Sequence, residues 1–152
     1  MWTADTDTYR RVFVEMLDHY SKLTDETIGN PPPFQSRFNA DGSLWLWEYE
    51  RQKTPAEFAR LIDRIKSGHL SAPLNAVVSC YGAQPTEAVL RGMYYSGRLE
   101  RRFGLRFTQA VAMENQSFPL GLASLWAGAG AKFSWRGVCG CASKLRNAYL
   151  AD

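Results

Sequence analysis

The sequence predicts an α/β protein, with a parallel sheet and alternating helices forming part of an incomplete (β/α) barrel. Three observations point there. Segments of helical periodicity alternate with short apolar runs bounded by Gly, Pro, Asn and Ser. One of those runs, carrying Phe107, Ala110, Val111, Ala112 and Met113, is apolar along most of its length, as a parallel strand covered on both faces should be. Finally, the chain opens on a helix with no strand before it, and its last strand has no helix of comparable quality after it. Four parallel strands alone would leave both sheet edges bare, and closed barrels of this type need ~250 residues. One domain cut from a larger barrel is therefore expected.

Composition narrows the classes further. At 152 residues with 45% hydrophobic residues, the chain suits a single domain with a sizeable core. The net charge of +3 is spread along the sequence, with Arg98, Arg101 and Arg102 as the one tight basic group, so nucleic acid is not an expected partner. No apolar run approaches the ~20 residues of a membrane span, and no basic-then-apolar leader follows Met1, which makes a cytoplasmic location the expectation. Cys80, Cys139 and Cys141 do not make a disulfide framework. Cys139-Gly140-Cys141 lacks a nearby His or second pair, so ordinary thiols in a reducing compartment are expected.

Taken in order, residues 5 to 24 carry Tyr9, Val12, Phe13, Met16, Leu17 and Tyr20 at helical steps, with Asp5 or Asp7 as cap. Gly29 and Pro31 to Pro33 stop that helix, and Phe34 to Asn39 reads as extended. Ser43 or Asp41 could cap a second helix, about Leu44 to Gln52. Its Leu44, Trp45, Leu46, Trp47 and Tyr49 fit core packing, with a sugar-stacking platform as the alternative. Thr54-Pro55-Ala56-Glu57 is a capping box opening the helix Ala56 to Lys66, whose core face would be Phe58, Leu61, Ile62 and Ile65.

Residues 69 to 80 should contain one strand, bent near Pro73. His69, at a helix-to-strand junction, reads as a surface or capping residue, or else as a ligand contact. Pro85-Thr86-Glu87 opens a long helix to about Arg102 with Leu90, Met93, Tyr94 and Leu99 inward, closed by Gly104. The apolar strand follows and ends at Glu114. Asn115, Gln116 and Ser117 are turn residues, Pro119 suits a first helical position, and a helix to Ala127 precedes a strand from Ala131 to Trp135. Ligands of such sheets bind beyond the carboxyl ends of the strands, which is where Glu114 falls.

Four stretches together resemble the N-terminal catalytic domain of family 38 glycoside hydrolases, the α-mannosidases. Phe38 to Tyr49 (FNADGSLWLWEY) is similar to that family's strand followed by a Ser-x-Trp helix. Thr54 to Gly68 (TPAEFARLIDRIKSG) resembles its helix ending in Ser-Gly before a strand. Pro85-Thr86-Glu87 with Arg91 resembles its Glu-x-x-x-Arg helix. Glu114 lies seven residues before Gly121-Leu122, and Ala129-Gly130-Ala131-Lys132-Phe133 follows. The family has Asp at the position of Glu114, then a turn, a Gly-Leu helix and an Ala-Gly-x-Lys/Arg-Tyr/Phe strand.

The resemblance implies retaining hydrolysis of an α-linked sugar by the complete parent protein, the 152 residues alone being inactive or nearly so. Two carboxyl groups about 5 to 5.5 Å apart would serve that chemistry. It implies Glu114 as nucleophile and zinc ligand, with Asp41, Trp45, Asn75 and Arg91 shaping a carbohydrate site. The family's zinc is also held by a His-x-Asp pair and a later His; this chain has no His-x-Asp, its histidines being His19 and His69. The strand carrying that pair and the later part of the barrel are expected outside it. For Glu114 the plainer role is a turn carboxylate capping the helix begun near Pro119, and for Arg91 an ion pair with Glu87. The rival reading is a barrel relative that binds carbohydrate or a partner without cleaving it, and a third has Arg98, Arg101 and Arg102 meeting an anionic partner.

Overall fold

The computed structural model describes residues 4–112 and 118–135. The chain is a mixture of helices and short strands in two compact units, Met1–Ala72 and Pro73–Asp152, each with its own parallel strand pair.

The first unit starts with α1, Thr6–Thr27. Asp5 caps it by accepting from Thr8 N at 2.8 Å, and that bond holds the Asp5 carboxyl below its usual range. Gln35 follows the proline turn Pro32–Phe34, and its amide donates to the Ile28 and Asn30 carbonyls. Strand β1, Phe38–Asn39, pairs in parallel with β2, Leu70–Ser71, in the register Phe38 to Leu70 and Asn39 to Ser71. Between them lie α2, Leu44–Gln52, and α3, Pro55–Lys66. This is a β-α-α-β crossover, as a parallel pair requires.

Helix α1 packs on both α2 and α3. Its inward residues Val14, Leu17 and Thr24 meet Leu46 and Tyr49 of α2 and Phe58, Leu61 and Ile62 of α3 in one buried core. The outer part of that core is aromatic. Tyr9 tilts on Phe13, Phe13 stacks on Trp45 at 4.6 Å, Trp45 tilts on Phe38, and Phe38 stacks on Tyr20 at 4.0 Å. Asp18 accepts from the Tyr49 hydroxyl at 2.8 Å and pairs with Lys53. Burial, with Asp18 beside it, raises the Tyr49 hydroxyl well above its ordinary pKa.

The capping box is present in full: Thr54 Oγ1 accepts from Glu57 N, and Glu57 Oε2 accepts from Thr54 N at 2.9 Å. Pro55 is the first helical residue, as its place directly after the Thr54 cap suggests. Thr54→Ala is expected to cost about 1 kcal/mol, read as a lower urea midpoint with unchanged slope. The bonds from Thr54 lower the Glu57 pKa relative to the unfolded chain. The stabilisation they give is therefore complete above the unfolded carboxylate range and lost as pH falls through the lower, folded value. Thr54→Ala should flatten that acid-side loss.

Three expectations for this unit are corrected. Ser43 and Asp41 do not cap α2; Ser43 is itself in helical geometry, and its backbone carbonyl accepts from Trp47 N. Ile65 is only half-buried, because the core face of α3 ends one turn earlier. His69 is not a surface residue: its side chain is buried just before β2, while its backbone N–H donates to the Arg64 carbonyl at 3.1 Å and so helps to close α3. Gln35 spends its amide N–H groups on two carbonyls, so its Oε1 accepts from His69 Nε2 at 3.0 Å, leaving Nδ1 to accept from Ser67 Oγ at 2.8 Å.

The second unit holds α4, Thr86–Arg91, α5, Tyr94–Phe103, β3, Gln109–Val111, α6, Gly121–Gly128, and β4, Phe133–Trp135. The long helix expected from Pro85 to Arg102 is broken at Gly92 and Met93. Gly92 is a weak helix former, and its carbonyl accepts from Ala76 N at 2.9 Å instead of continuing the helix. The break resets the phase, so Met93, Ser96 and Leu99 face inward, whereas Tyr94 is 61% exposed. Gly104 closes α5 with φ +66°, a left-handed cap that glycine adopts without steric cost.

Strands β3 and β4 pair in parallel, Gln109 to Phe133 and Val111 to Trp135. Helix α6 begins at Gly121, two residues after Pro119, whose carbonyl accepts from Leu122 N. The extended stretch after Pro73 is held by α5 and β3: Ser96 Oγ donates to Leu74 O at 2.6 Å, and Leu74 N donates to Gln109 O at 2.8 Å. Each parallel pair lies within its own unit, so one four-stranded sheet is not what the described residues form.

Candidate functional site

The carboxyl end of β3 is where the second unit concentrates polar side chains in a buried setting. Asn75 is 3% exposed and acts as a piece of strand. Its Oδ1 accepts from Val111 N at 2.9 Å, and its Nδ2 lies 3.0 Å from Val111 O, so one carboxamide reproduces both bonds of a ladder step. The same Nδ2 reaches Val77 O at 3.1 Å and the Tyr81 hydroxyl oxygen at 3.0 Å.

Tyr81 lies in the 3-10 turn Tyr81–Ala83 and donates from its hydroxyl to Val77 O at 2.9 Å. Burial pushes its hydroxyl up to about 12, so at neutral pH it is a donor and an acceptor of hydrogen bonds but not a source of phenolate. Its ring stands edge-on to Trp126 of α6 at 5.6 Å, and Phe118 meets the same indole at 5.4 Å. Trp126 Nε1 is buried without an acceptor among the described residues.

This end of the strand is therefore an ordered, largely neutral floor. Its described side chains bind and orient; none of the residues named there is a carboxylate or a histidine that could exchange a proton near neutrality. Glu114, two positions beyond Ala112, is outside the described residues, as are Cys139 and Cys141.

The other residues expected at a sugar site are scattered. Asp41 is exposed just beyond β1. Beside it, Ser71 Oγ donates to Asn39 Oδ1 at 2.7 Å, which links the carboxyl ends of β1 and β2. Trp45 is half-buried inside the aromatic stack against Phe13 and Phe38. Arg91 is exposed on α4 and donates from Nε to Glu87 Oε1 at 2.8 Å, the i,i+4 pair that the helix spacing suggests. Asp41 and Trp45 lie in the first unit, and Asn75 and Arg91 in the second. Tyr81 and Trp126 were not anticipated. The signal available for Tyr81 was a tyrosine one residue after the 69–80 strand region, ahead of a Pro-capped helix.

The described residues do not fit a zinc ion. His69 has both ring nitrogens committed to Ser67 and Gln35, and His19 is exposed on α1, edge-on to Tyr20. Among the described residues no three or more His, Cys, Asp or Glu side chains gather into a set able to hold a metal. No helix among them is long and apolar enough to cross a membrane. No protein-family model and no curated protein matches the chain.

Proposed function

We propose that this chain is part of the (β/α) barrel of a retaining glycoside hydrolase of the α-mannosidase type, with Glu114 as its nucleophile. The observation that carries the proposal is the β3-α6-β4 unit. Its strands are parallel and in register, Gly121-Leu122 opens the intervening helix, and Lys132-Phe133 leads into the second strand. That is the order in which the resembling family sets strand, carboxylate turn, helix and strand. Glu114 follows β3 by three residues in the sequence, and the carboxyl end of that strand is where Asn75, Tyr81 and Trp126 gather.

In the proposed reaction the Glu114 carboxylate attacks the anomeric carbon. The glycosidic bond breaks as the leaving oxygen takes a proton from a second acid, and water then cleaves the glycosyl ester with retention. Asn75 is a positioning residue: it fixes the end of β3, three residues before Glu114 in the sequence. Zinc enters as the ion that the resemblance implies, with Glu114 as its ligand in this chain, and no step is routed through it.

The test uses the protein encoded by the complete reading frame, an aryl α-mannoside as substrate and a zinc determination. Turnover should fall about ten-thousandfold or more in Glu114→Gln while the protein stays folded. Unchanged turnover in that variant removes Glu114 from catalysis. Saturable mannoside binding without turnover in the unaltered protein would support the non-catalytic, carbohydrate-binding reading instead.

A further inference from the structure

A polar cleft of about 290 Å³ opens between the first turns of α1 and the last turn of α2, lined by Asp7, Arg10, Arg11, Glu48, Arg51 and Gln52. It is in the first unit, and none of these residues enters the function proposed above. Glu48 forms its base and is 2% exposed. A buried carboxylate needs compensation, and two neighbours supply it: Gln52 Nε2 donates to Oε2 at 3.3 Å, and Arg10 Nε lies 3.1 Å from Oε1. The Arg10 contact is not aligned as a hydrogen bond, so it acts mainly through charge. Arg10 also reaches Asp7, whose side chain is 92% exposed and well hydrated.

Two guanidinium groups remain. Arg11 gives one nitrogen to Glu15 at 2.8 Å on the solvent side of α1. Arg51 is held over the Trp47 ring, 4.4 Å from its centroid, rather than by a carboxylate among the described residues. That stacking uses the face of the guanidinium and leaves its in-plane N–H groups for an acceptor. With Glu15 beside Arg11, the three guanidinium groups of the cleft face three carboxylates, and Arg51 is the one that no carboxylate among the described residues holds. An oxyanion would meet a planar fork whose orientation is set before binding, the geometry that suits bidentate recognition.

We infer that the α1/α2 cleft binds a small phosphate-type oxyanion, with Arg51 and Arg11 as its direct donors and Arg10 holding Glu48 as the neutralised base. The volume lies at the low end of the roughly 300–1,000 Å³ typical of small-molecule pockets, which restricts the occupant to a compact ion or head group. Free inorganic phosphate and the phosphoryl group of a sugar phosphate share this chemistry.

The test is calorimetric or NMR titration of the 152-residue protein at constant ionic strength, with inorganic phosphate, glucose 6-phosphate, glucose and chloride as separate titrants. Saturable binding of phosphate and no response to glucose or chloride is expected. Tighter binding of glucose 6-phosphate than of phosphate would identify the sugar phosphate as the better occupant, and equal binding the free ion. Arg51 is exposed at the helix end, so Arg51→Gln should fold normally and weaken phosphate about tenfold. Asp7→Asn removes the competing rim charge and should tighten it. A chloride response equal to that of phosphate, wild-type affinity in Arg51→Gln, or weaker binding in Asp7→Asn would each overturn the inference.

Discussion

Asn75→Ala is expected to lower the stability of the protein by about 3 to 5 kcal/mol, among the largest losses a single polar side chain can produce. The side chain is buried; its Oδ1 takes the Val111 N–H, and its two N–H groups are shared among the Val111 carbonyl, the Val77 carbonyl and the Tyr81 hydroxyl oxygen. Alanine leaves the Val111 amide and carbonyl unpaired at the end of β3, each costing about 1 to 3 kcal/mol, and opens a void that Tyr81 fills only partly. Tyr81 keeps its own bond to Val77 O, which limits the damage on that side. Urea unfolding followed by circular dichroism measures the change. A loss smaller than about 0.5 kcal/mol would mean that water replaces the carboxamide without cost, and the account of Asn75 as a piece of strand would fail. The proposed hydrolysis should weaken as well, since the segment bearing Glu114 leaves from that strand end.

Trp45→Ala should cost about 2 to 4 kcal/mol, with Trp45→Phe recovering most of it. The indole is the centre of a run of rings, stacked on Phe13 at 4.6 Å and tilted on Phe38 at 5.8 Å, and it joins α1 to the helix after β1. Removing it strips contact from two other aromatic residues at once. A sugar-stacking platform would behave in the opposite way: the melting temperature would hold while carbohydrate affinity dropped. Thermal unfolding beside a carbohydrate titration separates the two roles of Trp45 in one pair of measurements.

Local signals in the sequence carried much of this structure. The capping box at Thr54, the proline stop after α1, the cap at Asp5 and the glycine end at Gly104 involve residues within four positions of each other, so their physics is complete in the sequence itself. Helix α2 has the bounds that its apolar run and flanking turn suggest. What could not be read depends on distant partners. Gly92 breaks a helix because Ala76, sixteen positions earlier, takes its carbonyl. The buried His69 ring is satisfied by Gln35, thirty-four positions earlier, whose amide N–H groups are on two carbonyls and whose oxygen is left as an acceptor. Asn75 looked like a sugar contact, since an exposed asparagine and a buried one are identical in sequence; only the Val111 pairing tells them apart. Of the residues expected to gather at one site, Trp45 serves packing and Arg91 an exposed ion pair, while Asp41 lies exposed at a strand end.

The Val111 amide offers a way to watch this strand end directly. Most slowly exchanging amide protons are bonded to backbone carbonyls and open only when a helix or sheet separates. That of Val111 is bonded to a side-chain oxygen, so a single rotation about the Asn75 side chain exposes it while the β3-β4 pairing stays whole. Its deuterium uptake relative to that of Ala112, whose amide is bonded to the Trp135 carbonyl, therefore times a side-chain excursion against a backbone one. Two neighbouring protons would report how rigid the end of β3 is.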